Sequence, residues 1–277
     1  MTARITVTAC DAALGADIAG VDLSGPLDDD MVAAIRAALL DHGVIFFRDQ
    51  TLDPASLTTL ARHFGEPLEY PFVKGVPGHP LVTPVVKEAD DTVNFGGVWH
   101  SDNAYMARPA MATMLYAVET PPAAGDTLFA DQRLAFETLP YDTRRRIEGL
   151  RALNASDKPD VSATRTAMIR SQGAGRRAPL NASHPVVRTH PETGRRSLYV
   201  NLAHTVAIEG LDEAESAALL ETLFRHQVRD DFVVRFRWRP GSLAFWDNRA
   251  TLHFPMNDYH GHRRAMLRVT LAGDAPR

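Results

Sequence analysis

Apolar residues recur at every second position over much of the chain, which is the pattern of β-strands. In the run 232–238, an apolar or aromatic residue occupies every second position, as in a half-buried strand. Other segments are short apolar runs bounded by glycine, proline and polar turns. The segments expected to be strands are 5–8, 44–47, 81–86, 110–117, 127–130, 185–188, 197–200, 231–238, 243–246 and 264–271.

Helical periodicity is confined to a few segments. The first helix is expected over 28–40, opened by acidic residues and followed by a stop at Gly43. Asp53 and Pro54 read as an N-cap and a first-turn proline, so a second helix is expected from there to about residue 64. Further helices are expected over 134–139, 141–150 and 212–229. Many short strands with few helices predict a mainly β fold with α additions, of the β-sandwich or jelly-roll type.

No segment has the composition of a linker, so residues 1–277 are expected to form a single domain. Segment 154–183 is polar, is rich in arginine, glycine and serine, and has no clear period. A structureless loop of that length inside a compact domain is uncommon unless it has a function. We therefore expect 154–183 to be a lid over an active site.

Composition narrows the class of protein. Apolar residues make up 45% of the chain, too many for a disordered protein. The formal net charge of −4 argues against a nucleic-acid partner. Lys74, Lys87 and Lys158 are the only lysines among 30 basic residues. The chain is therefore rich in arginine, which binds carboxylates and sulfonates through two parallel hydrogen bonds.

A single cysteine, Cys10, excludes an internal disulfide and any cysteine-based zinc or iron–sulfur site. No stretch approaches 18 consecutive apolar residues, and the N-terminus lacks the apolar core of a signal peptide. We therefore expect a cytoplasmic protein with no membrane partner.

A candidate metal site comes from His100 and Asp102 in the sequence Trp-His-Ser-Asp. On a strand, this spacing would place both side chains on one face, about 7 Å apart. His253, just past the predicted strand 243–246, supplies a second histidine. Two histidines and one carboxylate form the facial triad of non-heme Fe(II) oxygenases, which leaves open positions for a keto acid and O2. The spacing alone does not show that His253 meets His100.

Arg264 and Arg268 are four residues apart on a predicted strand, so they share one face. They are either two anion receptors inside a barrel or part of an exposed arginine-rich face. Thr127, at a turn into a strand, carries a hydroxyl that could support a carboxylate.

Together these segments resemble the TauD/TfdA family of Fe(II)- and 2-oxoglutarate-dependent dioxygenases over nearly the whole chain. The resemblance is carried by the segments 14–18, 20–23, 43–48, 64–66, 99–102, 125–128 and 246–249, followed by His253, Arg264 and Arg268. It implies a double-stranded β-helix, a jelly-roll and cupin-like core with helical additions. It also implies Fe(II) as cofactor, 2-oxoglutarate and O2 as cosubstrates, and a small-molecule substrate. The expected assembly is a homo-oligomer, either a dimer or a tetramer.

By resemblance, His100, Asp102 and His253 are the iron ligands, and Thr127 and Arg264 hold the distal carboxylate of 2-oxoglutarate. Arg268 lies near both the cosubstrate and an anionic substrate group. Taurine-oxidising members have an asparagine four residues before the first histidine ligand. This chain has Gly96 there, with Asn94 two residues earlier as the candidate for that contact.

The substrate-binding positions depart from those of taurine-oxidising members. Tyr70 stands where a histidine is expected, and Val73 where a tyrosine is expected. Asn103 follows the aspartate ligand, where taurine-oxidising members have a valine, and His204 falls where a pocket phenylalanine is expected. Taurine is therefore not expected to be the best substrate. We expect oxidation of a C–H bond in a sulfonate, an alkyl sulfate, an aryloxy acid or another carboxylic acid.

Two alternatives stay open at the level of sequence. One is a jelly-roll metalloenzyme with the same triad that does not use 2-oxoglutarate. The other is a non-catalytic binding module. Arg264 and Thr127 separate the first from the main interpretation, because only a keto-acid enzyme needs a receptor for a second carboxylate.

Overall fold

The computed structural model describes residues 5–94, 96–158 and 178–277. Most of the regular structure in these ranges is β. The strands are β1 Thr6–Ala9, β2 Ala16–Ala19, β3 Val44–Phe47, β4 Pro67–Leu68, β5 Thr83–Lys87, β6 Ala112–Glu119, β7 Thr127–Asp131, β8 Arg151–Ala155, β9 Asn181–Pro185, β10 Val187–Thr189, β11 Arg196–Leu198, β12 Thr205–Ile208, β13 Val233–Phe236, β14 Leu243–Asp247, β15 Thr251–Pro255 and β16 Arg264–Leu271.

Two sheets enclose the region where the site lies. The larger sheet has the order β1-β2-β3-β14-β6-β16-β4, and β5 also pairs with β16. The smaller sheet has the order β13-β7-β15 and is antiparallel throughout. Opposed sheets with crossing connections form a jelly roll, which confirms the predicted mainly β fold.

The space between the two sheets is filled by aromatic side chains. Phe46 from β3 stacks on Phe236 from β13 with ring centroids 4.0 Å apart. Phe129 from β7 packs against Trp246 from β14, with centroids 5.5 Å apart. All four residues are buried. Each such ring contributes roughly 2–3 kcal/mol through burial of apolar surface, so this core fixes the distance between the sheets that carry the site.

The helices lie on the outside. They are α1 Asp29–His42, α2 Pro54–Arg62, α3 Gln132–Glu137, α4 Tyr141–Ile147 and α5 Glu213–His226. Helix α1 begins after Asp28, whose carboxylate accepts from the Met31 N–H, and ends at Gly43 with φ of 75°. Helix α2 has Asp53 as its N-cap and Pro54 in its first turn. The helix stop at Gly43 and the N-cap at Asp53 match the predictions. None of the helices in the described ranges has the length and apolar character that a membrane crossing needs.

The two ends of the predicted loop 154–183 belong to strands, so that prediction was wrong in its boundaries. Strands β8 and β9 pair in antiparallel register, with Asn154 opposite Ala182 and Ala155 opposite Asn181. Polar residues in β8 and β9 obscured the alternation of apolar and polar positions by which a strand is predicted. The middle of the expected lid, residues 159–177, lies outside the described residues.

Candidate active site

His100, Asp102 and His253 come together as a compact set of metal-ligating groups. One donor atom from each lies within 4.8 Å of the others. His100 Nε2 is 3.9 Å from Asp102 Oδ1, and the two imidazole centroids are 4.0 Å apart. All three residues are buried. Two imidazoles and a carboxylate are the donor set that suits Fe(II) with open coordination positions.

The backbone itself brings the two histidines together. The His100 N–H donates to the His253 carbonyl at 3.0 Å, and the His253 N–H donates to the His100 carbonyl at 2.9 Å. His253 belongs to β15, a strand the sequence did not predict. His100 forms an isolated bridge, and Asp102 lies in the turn that follows. The expectation that His100 and Asp102 share a strand was therefore wrong, because this turn brings the carboxylate back toward the imidazole.

Hydrogen bonding and burial prepare both histidines as ligands. The Val98 carbonyl lies 2.7 Å from His100 Nδ1, so a neutral ring carries its proton there and presents Nε2 as an electron-pair donor. Burial, followed by the proximity of His100, lowers the pKa of His253 well below its usual value. A neutral imidazole is the form that binds a metal.

Asp102 stays ionised despite its burial. Burial raises the pKa of this carboxyl, but His253, Arg268 and His100 outweigh that effect and hold the pKa at about 2. Ionised carboxylates are the form that coordinates iron. The donor set as folded therefore fits a divalent cation.

Thr113 and Asn248 orient the Asp102 carboxylate, and the sequence analysis did not assign them. The Thr113 hydroxyl donates to Asp102 Oδ2 at 2.7 Å, and Asn248 Nδ2 donates to Thr113 Oγ1 at 2.9 Å. Asn248 Oδ1 accepts from the Asp102 N–H and from the Trp246 indole. With Oδ2 engaged, Oδ1 is the oxygen that faces His100. Asn248 stands in a segment already noted for its family resemblance, but a single sequence carries no sign of its partner.

Arg264 and Thr127 line the same cavity as His100 and His253, a space of about 40 Å³. Arg264 is 5% exposed, and its Nε and Nη2 have no hydrogen-bond partner among the described residues. Burial lowers the pKa of Arg264. A buried guanidinium with unsatisfied N–H groups is the feature expected of a receptor for an external anion.

Trp238 fixes the Thr127 hydroxyl, a contact the sequence analysis also missed. The Trp238 indole N–H donates to Thr127 Oγ1 at 2.9 Å. Since an indole only donates, the hydroxyl proton of Thr127 must point to another acceptor. The Arg264 Cζ atom lies 5.6 Å from the centroid of the Trp238 ring. One tryptophan therefore contacts both residues at this end of the cavity.

Arg268 lies between the metal ligands and a cluster of aromatic side chains. Its Nη1 is 3.6 Å from Asp102 Oδ1, and its Cζ lies 4.6 Å from the Tyr70 ring centroid. Arg268 is buried, as is Arg264, so the reading of this strand as an exposed arginine face is wrong. Both arginines line the one cavity, as their spacing on β16 predicts.

The substrate candidates form a buried group next to the metal ligands. Tyr70 and Val73 pack in a cluster with Phe72 and Tyr105. The His204 ring meets Tyr105 edge-on at 4.9 Å, and its centroid lies 6.3 Å from that of His100. The Asn103 carbonyl oxygen Oδ1 accepts from the Tyr105 hydroxyl at 2.9 Å. Tyr105, which the sequence analysis did not single out, therefore links Asn103 and His204.

Asn94 is buried next to the end of β15. Its amide Nδ2 donates to the carbonyls of Pro255 and Met256, and Asn94 is not among the described residues that line the cavity. Gly96 has φ of 77°, and a Cβ atom there would lie 2.8 Å from His100 Cε1. This backbone therefore leaves no room for the asparagine of taurine-oxidising members at position 96.

Comparisons with known proteins agree with this site. Residues 6–270 match the family described as "Taurine catabolism dioxygenase TauD, TfdA family". The chain is 37% identical to an alpha-ketoglutarate-dependent sulfate ester dioxygenase of Pseudomonas putida, over 95% of this chain and 88% of that protein. It is 35% identical to an alpha-ketoglutarate-dependent 2,4-dichlorophenoxyacetate dioxygenase of Cupriavidus pinatubonensis, over 94% of this chain and 95% of that protein.

A similar fold is found among solved structures. The crystal structure of a putative alpha-ketoglutarate-dependent taurine dioxygenase from Burkholderia xenovorans superposes with a TM-score of 0.85. It shares 37% identity, and the match covers 99% of this chain and 94% of that one. With a family match from residue 6 to residue 270, the chain belongs to the TauD/TfdA family of dioxygenases.

Proposed function

We propose that this chain is an Fe(II)- and 2-oxoglutarate-dependent dioxygenase that oxidises a C–H bond of a small organic anion. The observation that carries this proposal is the ligand set of two histidines and one aspartate beside two buried arginines on one cavity. When bound, the iron supplies the chemistry that couples decarboxylation of 2-oxoglutarate by O2, with release of succinate and CO2, to substrate oxidation.

The residues of this chain have distinct tasks in the proposed reaction. His100, Asp102 and His253 would hold the iron, and Thr113 keeps one Asp102 oxygen engaged. Arg264 would form a salt bridge with the distal carboxylate of 2-oxoglutarate. The Thr127 hydroxyl would donate to the same carboxylate, because the Trp238 indole already occupies one of its electron pairs. These residues are buried, which strengthens each contact because the surroundings screen charge less than water does.

A metalloenzyme that works without 2-oxoglutarate has no use for Arg264 as it stands. Two nitrogens of the Arg264 guanidinium have no partner among the described residues, which is costly in a buried site unless an anion binds them. The same observation disfavours a non-catalytic module, which has no need for a metal site and a carboxylate receptor in one cavity. The keto-acid enzyme accounts for both.

The substrate proposed here is a sulfonate, an alkyl sulfate, an aryloxy acid or another carboxylic acid. Arg268 would attract its anionic group, with Tyr70 against the guanidinium. Asn103 and His204 would bind the head group, and the ring of Tyr105 would contact the apolar body. Relatives named for sulfate esters and for 2,4-dichlorophenoxyacetate support an anionic substrate with an apolar body.

The test begins with anaerobic loading of the protein with Fe(II) and 2-oxoglutarate. We expect the weak visible charge-transfer band of a keto acid bound to iron through two atoms. His253→Ala is expected to lose metal binding and turnover. A panel of anionic and neutral compounds in air is then scored by substrate-dependent succinate. Absence of the band would refute the cosubstrate, and turnover of neutral compounds alone would refute the anionic substrate.

We further propose that residues 1–277 act as one domain in the cytoplasm and assemble as a dimer or tetramer. The absence of a linker-like composition supports the first point. Light scattering coupled to size-exclusion chromatography measures the assembly, and a monomer at micromolar concentration would refute it.

A further inference from the structure

Lys87 carries a buried ammonium group next to the cavity. The residue is 3% exposed, and its Nζ atom has no hydrogen-bond partner among the described residues. It lies over the face of Tyr259, 4.5 Å from the ring centroid. A cation over a ring is stabilised, but less than full hydration stabilises it. Lysine is rarely buried in this way without an anionic partner.

The strand register places Lys87 next to Arg264. Lys87 on β5 is directly opposite Arg264 on β16, and Val85 is opposite Met266. Directly opposed residues in an antiparallel pair have Cβ atoms about 5 Å apart and share one face of the sheet. Val85, two residues before Lys87 and on the same face, lines the cavity. The Lys87 side chain therefore projects from the face of the sheet that borders the cavity.

Tyr259 connects Lys87 with the turn that carries Thr127. The Tyr259 ring packs so closely on Gly125 that a Cβ atom there would lie 3.1 Å from it. Gly125 is followed by Asp126, whose carboxylate is bound to Arg235 at 2.6 Å. The nearby carboxylate is thus already paired with another arginine. In the part of the chain that the structure describes, Lys87 and Arg264 are then two adjacent buried cations that an anion from outside the chain would neutralise.

We propose that the Lys87 ammonium is a second cation for the distal carboxylate of 2-oxoglutarate, acting together with Arg264. This inference rests on the proposed use of 2-oxoglutarate. A carboxylate has two oxygens with about four electron pairs, enough for a guanidinium, an ammonium and the Thr127 hydroxyl. The paired cations would favour keto acids with a second carboxylate over keto monoacids.

The experiment titrates Fe(II)-loaded protein anaerobically with 2-oxoglutarate and, separately, with 2-oxovalerate, which lacks the distal carboxylate. The charge-transfer band gives both dissociation constants without turnover. In Lys87→Met, we expect the constant for 2-oxoglutarate to rise about tenfold or more, and that for 2-oxovalerate to stay within about twofold. Lys87→Arg, which keeps the charge, is expected to recover most of the affinity. Lys74→Met, at an exposed lysine, is the control for loss of one charge.

The possible results of these titrations distinguish the role of Lys87 from the proposed function. Unchanged 2-oxoglutarate binding in Lys87→Met, or an equal loss for both keto acids, would overturn the role of Lys87. A wild-type protein that binds iron but gives no band with 2-oxoglutarate would instead refute the proposed function. Thermal melting checks the fold of each variant, and Lys87→Gln replaces Lys87→Met if that variant is unfolded.

Discussion

Replacing Arg264 by methionine is expected to stabilise the fold and to weaken the binding of 2-oxoglutarate. The Nε and Nη2 atoms of the buried Arg264 guanidinium have no hydrogen-bond partner in the part of the chain that the structure describes. An unsatisfied buried group costs about 1–3 kcal/mol, and methionine fills a similar volume without a charge. We therefore expect Arg264→Met to increase the free energy of unfolding by about 1–3 kcal/mol. For a domain of this size, that is an increase in Tm of a few degrees.

The same substitution should greatly weaken binding of the cosubstrate. Truncation of one partner of a buried, hydrogen-bonded charge pair costs about 2–5 kcal/mol, which is a loss of affinity of roughly 30-fold or more. Calorimetric melting gives the first quantity, and anaerobic titration of the iron-loaded protein with 2-oxoglutarate gives the second. Opposite signs for stability and binding are the expected result.

Arg133 is the matched control, since it is a buried arginine with its carboxylate in place. It binds Asp131 through three hydrogen bonds and also donates to the Leu40 and Asp41 carbonyls. Loss of one partner from such a pair costs about 3–5 kcal/mol, so Arg133→Met should be strongly destabilised. If Arg264→Met were destabilised to the same degree, or bound 2-oxoglutarate as wild type does, the reasoning about Arg264 would be refuted.

Three further predictions follow from contacts around the site. Thr113→Val removes the donor to Asp102 Oδ2, so iron affinity should fall about 10- to 100-fold in a metal titration. Thr58→Val is the control, because it removes a threonine hydroxyl that donates to the Pro54 carbonyl in α2, and it should leave iron affinity unchanged. Trp238→Phe should weaken 2-oxoglutarate binding severalfold, but it should have little effect in a protein that already carries Thr127→Val. If the two losses of affinity were additive in this double-mutant cycle, the indole would not act through Thr127. Gly96→Ala should displace His100 and weaken metal binding, and wild-type affinity would show that this loop can move aside.

The chemistry of the site was more predictable from sequence than its architecture. Strand β16 was predicted with its observed bounds, and Arg264 and Arg268 share a cavity because they are four residues apart on it. Residues a few positions apart on one strand keep a fixed relative placement in the fold, so such pairs can be inferred from the sequence alone. The helix stop at Gly43 and the N-cap at Asp53 were predicted for the same reason.

Features that depend on distant partners were missed. Strand β15 has only five residues and ends in Pro255, which reads as a strand terminator, so His253 was placed after a strand and not in one. The role of Asn248 depends on Thr113, 135 residues away in the sequence. The burial of Lys87 likewise has no local signal, because only the pairing of β5 with β16 places it beside Arg264.

The mutual backbone pairing of His100 and His253 has a consequence for how the enzyme acquires its metal. The two residues are 153 positions apart, so their contact has a high sequence separation and is expected to form late in folding. During synthesis, His100 and Asp102 emerge long before His253 completes the set. A nascent chain therefore offers only an incomplete, weakly selective pair of ligands. Iron then binds the folded protein more tightly than the unfolded chain, and this difference stabilises the contact that made the site.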